Sequence, residues 1–255
     1  MTFLQLIIMR LWFGRFRRVF EYFLRKILTN PRKIYFGDMK GNFFKGGLSQ
    51  ILGVYYPNVQ DALKKNLFSG AVFYDLGANN GFFSLFGSIL VGNSGKVFAF
   101  EPFKENLETV SRLVKTNNIM NCTVVDSAVA DYNGTGMLYF ADNAATPTFQ
   151  KDYSNNFVDV STITLDHFTT NHPRPNLIKV NVEGAEAMVL DGSTKLLNEH
   201  QNVVWVIEIH DLENEIKCKN IFKKNGYEVR KLWSPRKVSK KFPYQIIAEK
   251  KVIVK

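Results

Sequence analysis

Seven polar residues follow short apolar runs in this chain of 255 residues: Asp75, Glu101, Asp126, Asn181, Glu183, Glu208 and His210. The runs they close, including "VFYDL", "KVFAFE", "CTVVD", "LIKVN" and "VVWVIEI", have the near-continuous apolar character of strands buried on both faces. Ligands of open α/β sheets bind at the carboxyl ends of such strands. One carboxylate at a strand end reads as a helix cap, but five ends turning polar together point to a shared site. Carboxylates with an imidazole on one rim can accept hydrogen bonds from ribose hydroxyls, hold a cationic ligand and take a proton from a hydroxyl group.

The first of these ends continues into "DLGANNGFF", where Gly77 and Gly81 bracket a turn that opens a helix. A strand, a glycine turn and a helix start present backbone N–H groups to a ligand. A dinucleotide pyrophosphate requires G-x-G-x-x-G, whereas Asn79 holds the middle glycine position here and Asp75 places a carboxylate beside the turn. S-adenosylmethionine carries an ammonium, a sulfonium and no phosphate, so an acidic rim suits it better. Glu101 lies 24 residues beyond Gly77, in place to accept from both ribose hydroxyls, and Asp126 is placed to accept from the adenine amino group. The predicted cofactor site therefore comprises Asp75, Gly77, Ala78, Asn79, Gly81 and Phe82, then Glu101 and Pro102, then Asp126, Ser127 and Ala128.

The elements that position these residues alternate from residue 71 onward as in a parallel sheet flanked by helices. Strands are predicted over 71–76, 96–101, 122–128, 177–182 and 203–209, with two closing strands over 227–231 and 244–254. Helices are predicted over 80–91, from Pro102 to about Asn117, from Ala185 and over 211–225. Between the third and fourth strands "MLYFA" reads as a short strand, 141–157 as a polar loop and "VDVSTITLDHF" as an extended piece.

The net charge of +10 is unevenly distributed. Residues 1–66 carry 12 Lys and Arg against 3 Asp and Glu, residues 67–214 carry 8 against 17, and residues 215–255 carry 13 against 3. The acidic middle argues against a general polyanion-binding fold and gives the basic ends a separate task. Residues 10–27 form a predicted basic amphipathic helix with Trp12, Phe13, Phe16, Phe20 and Phe23 on its apolar side. Its apolar face can dock on the rest of the protein or lie in a membrane interface, so peripheral membrane contact through residues 1–28 is one expectation. The charge-free run ends at Arg10, too short to span a bilayer, and no secretory cleavage pattern follows. Cys122 and Cys218 form neither a disulfide framework nor a metal-ligand spacing and fit a reducing, cytoplasmic setting. Two regions follow: an N-terminal helix and connecting segment, 1–66, and a cofactor-binding domain, 67–255.

The sequence resembles the FkbM-type S-adenosylmethionine-dependent methyltransferases over roughly residues 46–232. The resemblance rests on "YDLGANNGFFSLF", "KVFAFEPFKENLETV", "DSAVADYNG", "STITLDHF", "LIKVNVEGAEAMVLDG" and "VVWVIEIH", in that order. It implies a Rossmann-like class I methyltransferase fold, with a mostly parallel seven-stranded sheet and helices on both faces, extended here by an N-terminal amphipathic helix. It implies O-methylation of a hydroxyl on a sugar or other small or glycan-type acceptor. The chain departs from the family at Asn181, where the K-x-D-x-E-G block usually has Asp, and at "GVYYP", which lacks an acidic residue often found there.

A hydroxyl acceptor must lose its proton, and the rim offers Glu183, Glu208 and His210 as bases, with Asn181 unable to serve as one. His210 reads equally as a cap on the following helix, and Lys179 as a structural mid-strand residue. No ligand spacing demands a metal. The loop "LWSPRKVSKKFPY" puts Arg236, Lys237, Lys240 and Lys241 where an anionic acceptor would be held, or else forms a solvated turn. Nucleic-acid methylation is disfavoured, because "NVEG" replaces the tetrapeptide used on amino groups and no Pro-Cys loop is present. A methyltransferase-like binding module docked at a membrane surface is the alternative to an enzyme.

Overall fold

The computed structural model describes residues 30–140, 147–149, 155–199, 203–232 and 242–250. The predicted helix over 10–27 and the basic cluster at Arg236, Lys237, Lys240 and Lys241 lie outside the described residues.

Two antiparallel two-residue strands, β1 (Arg32–Lys33) and β2 (Phe43–Phe44), lead into α1 (Leu48–Ile51) and α2 (Pro57–Asn66). Pro57 starts α2 because its fixed φ suits the first helical position, where no N–H partner is needed. The alternating part follows: β3 (Val72–Leu76), α3 (Phe82–Val91), β4 (Lys96–Phe100), α4 (Lys104–Thr116) and β5 (Cys122–Val125). Next come β6 (Ala128–Val129), β7 (Gly134–Tyr139), β8 (Phe157–Ile163) and α5 (Leu165–Phe168). The chain closes with β9 (Leu177–Val180), α6 (Glu186–Asp191), α7 (Thr194–Asn198), β10 (Val204–Ile209), α8 (Leu212–Lys224), β11 (Tyr227–Lys231) and β12 (Tyr244–Lys250).

Seven strands form the central sheet in the order β11-β12-β10-β9-β3-β4-β5. β5, β4, β3, β9 and β10 pair in parallel, and β12 pairs antiparallel with both β10 and β11. Strand alternation divides the core into two layers. On one face Tyr74, Leu76, Phe98, Ile178, Trp205 and Ile207 pack with Phe168, Val189, Leu197 and Phe222. On the other, Phe73, Val97, Leu177 and Val206 pack with Leu63, Phe82, Phe86 and Leu113. Helices thus cover both faces, as the resemblance implies, and the strand order reverses between β3 and β9, which places a crevice at their carboxyl ends.

The predicted third strand, 122–128, is broken. β5 ends at Val125, exposed Asp126 and half-buried Ser127 redirect the chain, and Ala128–Val129 join a separate three-stranded sheet in the order β6-β8-β7. Ala128 is buried against Leu138 and Val160 of that sheet, so its apolar character reflects a second small core. The extended pieces around residues 137 and 160 are partners in this same sheet. The first helix starts at Phe82, two residues later than predicted, because Gly81 holds the left-handed N-cap position at φ 80°. The second starts at Lys104 because Phe103 is extended, its N–H donated to Glu101.

Residues 30–66 belong to the packed body. Ile34, Met39, Phe44, Val59 and Leu63 are buried within the layer that covers β3 and β4, and Phe44 packs edge-on to Phe82 at 5.5 Å. No helix among the described residues is long and apolar enough to cross a membrane. Phe44→Ala should cost about 3–5 kcal/mol in urea unfolding, with one cooperative transition retained. A main transition with an unchanged midpoint would show that residues 30–66 do not contribute to that core.

Candidate active site

The glycine turn is held from below. The Gly77 and Ala78 N–H groups both donate to Phe100 O (3.0 Å each), Asn79 N–H donates to Glu101 Oε2 (2.7 Å), and Gly81 N–H donates to Ala78 O (2.8 Å). Gly77 is at φ 71°, and a Cβ there would meet Asn181 O at 1.9 Å, so only glycine lets the turn lie against the end of β9. Asn79 shares the left-handed region at φ 51°. The sequence reading expected this turn to offer its N–H groups to a ligand. The structure corrects it for Gly77, Ala78, Asn79 and Gly81, whose donors are engaged within the protein.

Asp75 is fully buried beneath the turn. Its Oδ2 accepts from Ser84 Oγ (2.6 Å) and its Oδ1 pairs with Lys179 Nζ (2.9 Å), the residue opposite it in the β3–β9 register. The same Nζ donates to Gly77 O (3.1 Å). Asp75 therefore supports the turn from inside the protein and does not face the rim. Phe82 is also corrected: its ring is buried against Phe44, Tyr55 and Phe83, so only its backbone belongs to the turn.

Glu101 is 4% exposed. Oε1 accepts from Phe103 N–H (3.0 Å) and more weakly from Asn106 Nδ2 (3.5 Å), while Oε2 holds Asn79. Burial pushes its pKa up, and these hydrogen bonds with the Lys179 charge pull it partly back. Each carboxylate oxygen keeps further acceptor capacity. Pro102 and Ser127 are half-buried, and Asp126 is exposed at the end of β5.

On the other side of the turn, β9 runs into Asn181, Val182, Glu183 and Gly184. Asn181 Oδ1 is buried without a hydrogen-bond partner among the described residues. Glu183 and Gly184 both have positive φ, 53° and 97°. This sparsely populated backbone is held by Thr148 Oγ1 on Glu183 O (2.6 Å), by Asn214 Nδ2 on Gly184 O (2.8 Å) and by Gly184 N–H on Glu186 Oε1 (3.0 Å). His210, just beyond β10, lies between two carboxylates, with Nδ1 2.8 Å from fully buried Glu186 Oε1 and Nε2 3.3 Å from Glu183 Oε2. Burial alone would lower its pKa, but Glu183 and Glu186 raise it to about 10. Both ring nitrogens face acceptors, so the imidazole is doubly protonated. Asp211, and not His210, caps α8, through Asn214 N–H (2.8 Å). Glu208 is buried, its Oε1 accepts from Tyr56 OH (3.1 Å), and burial raises its pKa against the lowering by His210, Tyr56 and Lys179.

The sheet therefore brings Glu101, Asn181, Glu183, Glu208 and His210 to one edge, around an acid-braced glycine turn. Residues 75–235 match the model of the methyltransferase FkbM domain. The chain belongs to this family. A curated relative, hexuronic acid methyltransferase AglP of Haloferax volcanii, is 33% identical over 144 residues, which cover 54% of this chain and 56% of the relative. The chain thus spans about half the length of that relative. An FkbM methyltransferase structure from Methylobacillus flagellatus aligns with a TM-score of 0.51 at 21% identity, covering 71% of this chain and 44% of that one. A protein from Clostridium thermocellum assigned as an rRNA methylase aligns at 0.53 and 13%, covering 76% and 94%. At these identities the two structures establish the fold alone, that of class I methyltransferases.

Three contacts of this FkbM-family chain were not read from sequence. Glu186 appeared only as a motif position, yet it is the buried partner of His210; its spacing of three from Glu183 was the available signal. Tyr56, in "GVYYP", supplies a hydroxyl to Glu208 from 152 residues away. Gln50 exchanges side-chain amide hydrogen bonds with Asn80 of the turn (3.3 and 3.2 Å). Nothing local in the sequence signals these two contacts. Among the described residues no group of three or more acidic, His or Cys side chains is arranged to hold a metal ion.

The raised pKa of His210 gives a stability signature. A group whose folded pKa of about 10 exceeds its ordinary 6.5 contributes fully below 6.5, and that contribution is lost as pH rises toward 10. Between about pH 7 and about pH 9.5 the wild-type Tm should therefore fall further than that of His210→Gln, read by thermal scans. Parallel curves would show that the imidazolium is not held this way.

Proposed function

We propose that this chain is an S-adenosylmethionine-dependent O-methyltransferase acting on a hydroxyl of a sugar or glycan-type acceptor. The observation that carries this reading is the placement of the Glu186–His210–Glu183 chain beside Asn181, on the strand end next to the acid-braced turn. The residues fit the cofactor chemically. Glu101 and Asp126 are acceptors for ribose and adenine donors, and the unpartnered Asn181 Oδ1 is an acceptor for an ammonium. The curated relative is a hexuronic acid methyltransferase, which supports a sugar acceptor and favours an acidic one.

Bound beside the turn, near Glu101, Asp126 and Asn181, the cofactor would supply an electrophilic methyl carbon on a sulfonium, with the thioether as the leaving group. The protein holds the two reactants in line and takes the acceptor proton. Glu183 is the group for that proton, because its side chain is 31% exposed whereas that of Glu186 is fully buried. His210 already carries a proton on each nitrogen and serves as a fixed cation. Its Nδ1–H is anchored on Glu186, and its Nε2–H orients Glu183, leaving the remaining lone pairs of Glu183 for the acceptor hydroxyl. Glu208, tied to Tyr56, borders the same space and shapes it.

Calorimetric titration should give micromolar binding of S-adenosylhomocysteine and none of NADH, with Glu101→Ala abolishing it. Glu183→Gln should keep that binding while slowing methyl transfer to hexuronosides by about 10²–10⁴-fold. Absence of S-adenosylhomocysteine binding to folded protein would overturn the enzyme reading, and full activity in Glu183→Gln would move the proton to another group.

A further inference from the structure

Lys179 occupies an unusual position for a lysine. It lies in the middle of β9, flanked along the strand by buried Ile178 and Val180, and its side chain is 7% exposed. Its ammonium has three donors. It is ion-paired with Asp75 Oδ1 (2.9 Å) and donates to the carbonyl oxygen of Gly77 (3.1 Å), while the ring of Phe83 lies 5.4 Å away. The group is thus held inside the protein by Asp75 and Gly77 and has no part in proton transfer.

A buried ion pair adds little net stability over an apolar pair of similar volume. What an apolar pair cannot provide is a donor for Gly77. This glycine, at φ 71°, has no Cβ to restrict it, and rotation of its carbonyl would re-aim the Gly77–Ala78 peptide. The Ala78 N–H of this planar peptide is held by Phe100 O, and Lys179 Nζ holds its opposite side through the Gly77 carbonyl, so the peptide is fixed from both sides. The same ammonium also acts electrostatically on Glu101, on the cofactor side, and on Glu208, on the acceptor side.

We propose that Lys179 is a positioning residue for the cofactor turn, acting through the Gly77 carbonyl with Asp75 holding its ammonium in place. The inference rests on the cofactor reading given above. It separates from a purely structural role because the double variant removes the unpaired buried charge and so restores stability while the Gly77 contact stays lost.

The experiment compares Lys179→Met, the double variant Asp75→Asn/Lys179→Met, and Ser84→Ala. Each is measured for Tm, for S-adenosylhomocysteine affinity and for amide exchange over residues 76–81 without ligand. Lys179→Met leaves Asp75 buried and unpaired, so its Tm falls steeply. The double variant removes both charges and should recover most of the Tm, yet bind about tenfold or more weaker, with faster exchange in the turn. Ser84→Ala loses the Asp75 Oδ2 contact without touching Gly77. It should lower Tm while leaving affinity within about twofold and turn exchange unchanged. A double variant that binds like wild type, or affinity that simply follows Tm through all three variants, overturns the proposal. If the double variant does not fold, Ser84→Ala still decides: affinity lost in step with its Tm would make the cluster merely structural. If wild-type protein fails to bind S-adenosylhomocysteine, the cofactor reading falls, and turn exchange in the variants decides on Lys179 alone.

Discussion

The buried Asp75–Lys179 pair is the contact on which the geometry of the rim depends. It joins β3 to β9 across the middle of the sheet, and those two strands end in the two halves of the candidate site. β3 delivers the glycine turn, and β9 delivers Asn181 and Glu183. Charges this deep are tolerated only when their hydrogen-bonding capacity is met. Here Ser84 donates to Asp75 Oδ2, while Lys179 is ion-paired with Oδ1 and donates to the Gly77 carbonyl, and each contact also fixes a piece of backbone or helix. The close approach of Gly77 to Asn181 O then follows: a turn pulled down onto β9 leaves no room for a Cβ.

The same physical device recurs on the acceptor side with different residues. His210 is a cation between two acidic groups, one buried and one half-exposed, as Lys179 is a cation between a buried carboxylate and a carbonyl. In both places the buried partner fixes the cation, and the cation fixes a group nearer the rim. For Lys179 that group is a peptide carbonyl; for His210 it is Glu183. The strained backbone at Glu183, with its three restraints from Thr148, Asn214 and Glu186, shows how closely that carboxylate is placed. A doubly protonated His210 also bears on the proposed choice of base, which the sequence leaves open among Glu183, Glu208 and His210. It favours Glu183 as proton acceptor, since Glu208 is buried and already bonded to Tyr56.

What was legible in the sequence was what periodicity and chemical type encode. The apolar runs located four of the five parallel strands to within a residue or two, and the polar residues ending every run but the first, where Asp75 is buried, marked the rim. Two errors have physical causes. "CTVVDSA" reads as one strand because Val124, Val125 and Ala128 are all apolar, but Ala128 is apolar for the sake of a second core with Leu138 and Val160. Phe82 reads as part of a ligand-facing turn because it adjoins Gly81, yet a helix-starting aromatic finds more apolar contact inward, among Phe44, Tyr55 and Phe83. The contacts of Gln50 and Tyr56 were beyond reach, because they depend on how the segment carrying α1 and α2 packs back onto the sheet, and no local pattern specifies that path.

The hydrogen bonding of the turn bears on the ligand more directly than its glycine spacing does. A phosphate-binding turn works by aiming N–H groups at an anion. Here the N–H groups of Gly77, Ala78, Asn79 and Gly81 are bound to Phe100 O, Phe100 O, Glu101 and Ala78 O. The turn has committed four of its donors to the protein, and Glu101, which a pyrophosphate would have to approach, is the acceptor for one of them. What the rim presents instead is acceptor capacity: the remaining lone pairs of Glu101, exposed Asp126, the unpartnered Asn181 Oδ1 and half-exposed Glu183. Such an edge suits a ligand that brings donors and positive charge. An adenosine with an ammonium and a sulfonium meets both conditions, and a dinucleotide meets neither at its phosphates. The acidic middle of the chain, set between two basic ends, is the same preference expressed in composition.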